Sequence, residues 1–333
     1  MNLARVDQIA KAVLYEGYML YPYRPSSVKN RQRWNFGVVY PQAYNEAQGG
    51  EEACSMRTEC LVSGNSGSIL EVAVRFLHLQ TRSTHSSPDA SKALPDGWQE
   101  AVEREIKLPE CSLQRLCREA SCHAFGFPDQ THVDSERNEN GESVATNWHR
   151  QEAVEGHVEV SAVTASDDVF KVCIQVRNLT PLGIPAANRD AALTHSLVST
   201  HTVLGVRSGQ FISLLEPPTE LQELAAQCQN VGAWPVLVGD PGERDTLLAS
   251  PIILYDYPQI APESAGDLFD GTEIDEILSL RIMTLTDEEK REIRQSDHRA
   301  RQILDRTDAM PAEQFMKLHG AVRGLRPLKE DAP

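Results

Sequence analysis

The sequence is short of aromatic residues, at 6% of its 333 positions. It has no apolar run near the roughly 18–20 residues that a helix needs to cross a bilayer. A secretory leader is also missing. Residues 1–12 carry Arg5, Asp7 and Lys11 where a signal peptide would have its apolar stretch, so a cytoplasmic protein is expected. Positive charge is scarce, with 32 lysines and arginines against 48 acids and a net charge of −16. Such an excess repels the phosphate backbone, so no nucleic-acid partner is expected. There is no P-loop, no G-x-G-x-x-G, no H-E-x-x-H and no calcium loop, which removes the commonest nucleotide and metal chemistries. The seven cysteines contain no C-x-x-C pair, so zinc-ribbon and thioredoxin-like redox sites are excluded. No cofactor is expected.

What is present suits a folded chain. Apolar residues make up 41%, enough for a sizeable core, and the length fits one large domain or two. Residues 6–15 have helical spacing. Residues 51–62 and 68–79 alternate apolar and polar side chains, and the small residues 63–67 between them predict a hairpin turn. Residues 156–165 and 169–179 predict a second hairpin across Asp167-Asp168. The polar stretches 81–97 and 130–150 read as loops. Residues 220–228 read as a helix, and residues 234–239 and 250–257 as strands. Thr286 and Glu289 form a capping box that opens a helix reaching about residue 304. The expected fold is α+β, with antiparallel β-hairpins in sandwich-like sheet layers and a helical C-terminal segment. The expected divisions are an N-terminal β-rich domain at 1–130, a polar loop at 131–150, a second β-rich α+β region at 151–285, and a terminal helix with a frayed tail at 286–333.

Charge is polarised along the chain. Residues 1–50 hold six cations against three anions, and residues 237–286 hold ten acids against two arginines. The two regions either pack on each other or steer a protein partner. Four tyrosines fall within residues 15–23, ahead of Arg24, Lys29, Arg31, Arg33 and Trp34. Pro22 and Pro25 force extended backbone there. A second tyrosine- and proline-rich tract, residues 250–263, contains Tyr255 and Tyr257, and Asp267 and Asp270 follow it. Each tract either plugs a core or offers aromatic anchors to another protein.

Two chemical readings stand beside these. Asp267, Asp270, Glu273 and Glu276 could hold a divalent cation for a metal-assisted hydrolase, or could simply complement a helix dipole. Cys111, Cys117 and Cys122, with His123, could form a metal-handling module, but gaps of six and five residues suit reduced structural thiols better. Cys173 reads as a core residue, and the ten histidines show no clustering along the chain. His195 and His201 would share a strand face and point to solvent.

The tracts at 14–30 and 250–278 resemble an uncharacterised accessory protein family of bacterial gene clusters that encode uptake-type nickel–iron hydrogenases. The resemblance spans most of the chain outside residues 81–97 and 130–150. It implies a helper, since neither the paired C-x-x-C nickel ligands of the catalytic subunit nor the cysteine sets of the iron–sulfur subunit occur. The expectation is therefore a non-catalytic cytoplasmic accessory or assembly protein in hydrogenase maturation or assembly, acting by protein–protein interaction. One contact surface would use Tyr21, Tyr23, Arg24, Lys29, Arg31, Arg33 and Trp34, and a second Tyr255, Tyr257, Asp267 and Asp270.

Overall fold

The apolar residues near the N-terminus, Val6, Ile9, Ala10 and Val13, recur at helical spacing and lie on one face of helix α1, Leu3–Leu14. That face covers Val203, Val236 and Leu248 of a β-sheet. The computed structural model describes residues 3–15, 33–86, 98–137, 143–183, 188–259, 285–296, 301, 304–305 and 307–309.

The sheet is built on one strand, β1, spanning Ser55–Ser86. Its partners follow in the chain as β2 (Trp98–Lys107), β3 (Cys111–Ser112), β4 (Ser121–Phe127), β5 (Gln130–Arg137) and β6 (Ser143–Gln151). Then come β7 (Val154–Ser166), β8 (Val169–Asn178), β9 (Val198–Ile212), β10 (Trp234–Leu237) and β11 (Thr246–Ser250). The main path runs β10-β11-β9-β1-β8-β7-β4, with β2, β3 and β6 also pairing with β1 and β5 with β6. Each of these pairings is antiparallel. The chain is thus an α+β protein dominated by antiparallel sheet, as expected.

Alternation explains the core. Cys60, Val62, Leu70, Val72, Val74 and Phe76 of β1 all point inward, with Val158 and Val160 of β7 and Val172, Ile174 and Val176 of β8. Phe125 and Phe127 of β4 reach Phe76, at 6.3 and 5.7 Å between ring centroids, although β8 and β7 lie between β4 and β1 in the sheet. The sheet therefore curls over its own core.

Several expectations change. Residues 63–67 form no hairpin. β1 runs straight through them, and five steps on β1, Gly64 to Ile69, oppose two on β9, Gly209 to Arg207. The small residues serve a bulge instead of a turn. Of residues 130–150, expected as a loop, 130–137 form β5 and 143–150 most of β6; the two strands pair with each other, and β6 pairs with β1. One sheet thus draws strands from both sides of residues 131–150. Residues 251–257 are not a strand; Asp256 accepts the Leu237 N–H (2.8 Å), and the Tyr257 N–H donates to the Leu237 carbonyl (2.7 Å). These two contacts cover the outer edge of β10. The β7–β8 hairpin forms across Asp167-Asp168 as predicted. Cys173 is half-buried on the face opposite the core, paired in register with Glu59. His201 is fully buried, with Nε2 bonded to Ser250 (3.2 Å).

Short helices fill the connections: α2 (Gln42–Ala47), α3 (Leu113–Arg118), α4 (Arg189–Leu193) and α5 (Gln222–Ala226). The capping box forms, with the Glu289 N–H donating to Thr286 Oγ (3.2 Å) and the Thr286 N–H to the Glu289 carboxylate (2.8 Å). It opens α6, Asp287–Ser296, whose Ile293 is buried beside Trp34 and Trp98. No helix among the described residues is long and apolar enough to cross a membrane.

Candidate functional site

Residues 36–40 read as a strand from the sequence; in the structure they make only the isolated bridge of Val39 to Leu197, yet they lie along the start of β9. The Ser199 and Thr200 N–H groups donate to the carbonyls of Phe36 (3.1 Å) and Gly37 (3.0 Å). Val39 and Leu197 exchange a pair of backbone bonds at 2.8 and 3.1 Å. The buried Asn178 amide ties the two together by donating to the carbonyls of Val39 (2.8 Å) and His195 (2.9 Å). At Gly37 the backbone has φ +54°, and an added Cβ would stand 2.6 Å from Pro251 Cγ. Only glycine tolerates both the left-handed conformation and that approach.

Arg189 fixes the run into this ladder. Its Nη2 donates to the carbonyls of Arg33 (3.0 Å) and Trp34 (2.9 Å) and to Asn35 Oδ1 (2.8 Å). Trp34 itself has φ +63°. A non-glycine residue held in that region carries strain, which the three bonds offset. Tyr40 stacks near Tyr44 at 5.0 Å, and burial raises its phenol's pKa, against the opposing pull of Arg189.

Above this ladder lies a cleft of about 440 Å³. Phe36 and Trp234 form its rim and remain 41% and 42% exposed. Glu51 and Glu52 line one side, and Tyr40, Met56 and Pro251 also face it. A volume of that size lies within the usual range for binding sites. Among the described residues lining it there is no histidine, cysteine or lysine; the titratable side chains there are Glu51, Glu52, Tyr40 and Arg189.

The expected contact residues fall differently. Tyr21, Tyr23, Arg24, Lys29 and Arg31 lie outside the described residues, as do Asp267, Asp270, Glu273 and Glu276. Arg33 and Trp34 do not form an outer surface, being only 5% and 3% exposed. The Arg33 guanidinium lies 3.8 Å over the Trp98 ring and donates to the Gln99 carbonyl (2.8 Å), clamping this segment to β2. A planar cation over an indole loses little by burial. Tyr255 is 86% exposed, whereas Tyr257 packs on the core. Cys111, Cys117 and Cys122 do not converge; the first is buried, the other two are exposed, and His123 bonds Ser121 (2.9 Å). The sequence reading missed the cleft because its parts come from residues far apart in the chain, none with a motif. The one local signal was Gly37 between Phe36 and Val38. Comparison with known protein families and with curated proteins finds no match to this chain.

Proposed function

We propose that the protein is a non-catalytic cytoplasmic accessory or assembly protein that holds a segment of another polypeptide in this cleft. The observation that supports it is the pair of large aromatic side chains, Phe36 and Trp234, left exposed over a hydrogen-bonded floor. Tryptophan and other large aromatics often carry interface energy, and a floor fixed beforehand lowers the entropy lost on binding. Glu51 and Glu52 add negative charge while Arg189 is committed to three oxygens, so the cleft favours a segment bearing lysine or arginine. The resemblance of the tracts at 14–30 and 250–278 supports a nickel–iron hydrogenase subunit or maturation factor as the partner.

The test is binding of full-length protein to recombinant hydrogenase subunits and maturation factors, with Phe36→Ala and Trp234→Ala. Each truncation is expected to weaken the complex by about 2 kcal/mol, roughly thirty-fold, with Tm unchanged. Wild-type affinity in the double variant would remove the cleft from the reading. Failure of every hydrogenase protein to bind would remove that partner.

A further inference from the structure

The β5–β6 hairpin brings together three side chains that the sequence separates and the cleft does not use. Cross-strand register sets His132 directly opposite His149. Asp134, two residues along β5, shares their face of the sheet. His149 Nε2 and Asp134 Oδ1 are 2.9 Å apart, and the two imidazole centroids 6.3 Å. The other nitrogen of His149, Nδ1, lies 3.3 Å from Glu100 Oε2 and 3.3 Å from the Gln80 amide. Glu100 is itself held by Gln80 (3.1 Å) and Arg82 (3.3 Å). His149 and Glu100 are largely enclosed, at 16% and 14% side-chain exposure, while Asp134 is open at 49%.

We propose that His132, Asp134 and His149 form a binding site for a divalent transition-metal ion, with Glu100 as the positioning residue. Two imidazoles and one carboxylate form a donor set that suits zinc, iron, cobalt and nickel and leaves coordination positions open. Placement supports this. Directly opposed residues on antiparallel strands have Cβ atoms only about 5 Å apart, so the i, i+2 pair and the facing histidine bracket one point above the sheet.

Among the described residues no group of three or more histidine, cysteine, aspartate or glutamate side chains is placed to hold a metal ion as the structure stands, so the proposed site needs His132 to move. The remaining movement is small. Bond lengths near 2.0 Å put the centroids of two imidazoles on one ion roughly 5 Å apart. The present 6.3 Å therefore closes by about 1 Å when the exposed His132 ring turns inward. His149 Nε2 and Asp134 are already neighbours, and an ion would take the place of the hydrogen bond between them. A metal-bound imidazole usually makes its other ring contact to a carboxylate, which fixes its orientation, and Glu100 is so placed at Nδ1.

The experiment titrates chelator-stripped, untagged full-length protein with Co²⁺, following visible d–d absorption, and with Zn²⁺ by calorimetry. The expected result is one equivalent bound, with binding lost in His149→Ala and Asp134→Asn while both variants keep the far-UV circular dichroism of the folded wild type. His132→Ala should shift the cobalt spectrum and weaken affinity. Glu100→Gln should keep the stoichiometry and raise Kd by ~10–100-fold, an effect a purely structural role would not produce. His157→Ala, on β7, should bind as wild type. Absence of a cobalt band, or undiminished binding in His149→Ala, would overturn the proposal.

Discussion

At the scale of single residues, backbone conformation and burial decide more than residue type. Gly37 combines φ +54° with the Pro251 ring 2.6 Å from where a Cβ would go. Gly37→Ala is therefore expected to cost about 2–3 kcal/mol. In urea the midpoint should fall at unchanged m, and Phe36 should lose its place on the cleft rim. Glu59 shows how burial is made tolerable. It is 1% exposed, and burial pushes its pKa up. The Gln229 N–H (2.7 Å), the paired Arg57 and Lys171 (3.6 Å) outweigh that and hold the carboxyl below its ordinary value.

At the scale of elements, the bulge at residues 64–68 bends β1 without ending it. Ser68 is buried, its hydroxyl accepting from the Asn65 N–H (3.0 Å) and donating to the Ser208 carbonyl (2.5 Å). Ser68→Ala strands both backbone groups and should cost about 1–3 kcal/mol. Faster amide exchange confined to residues 64–68 and 207–209 would identify the cause. The same elements show what a sequence can and cannot announce. β7 and β8 were legible because Val158, Val160, Val172 and Ile174 alternate over a clean two-residue gap, and α6 because Thr286 and Glu289 stand at capping distance. The bulge was misread because glycine, asparagine and serine serve turns and bulges alike. β5 and β6 were misread because their exposed faces carry polar residues, leaving little alternation to see. That error also hid the approach of His132 to His149. The burial of Arg33 was illegible because the Trp98 ring that receives it lies 65 residues away.

At the scale of the whole molecule, two buried histidines link stability to acid. Burial lowers the pKa of both His78 and His201 from 6.5 to about 4. Above pH 6.5 neither state binds a proton at these residues and their contribution is full. Between pH 6.5 and about 4 the unfolded imidazoles take up protons that the folded ones refuse. Stability should therefore fall as pH drops through that window, by up to about 1.4 kcal/mol per pH unit for each histidine. Denaturation midpoints across it should show the slope, and His201→Gln should remove one histidine's share.

The 32-residue length of β1 has a consequence for synthesis. The strand leaves the ribosome well before most of what it must pair with, since β9 begins at Val198, more than a hundred residues after Ser86. At 5–20 residues per second that delay lasts on the order of ten seconds. Through that interval β2 can shield part of one side, while the stretch that will meet β9 has no mate. A nascent chain in that state carries an unpaired strand edge, and slowing translation should increase its loss to aggregation.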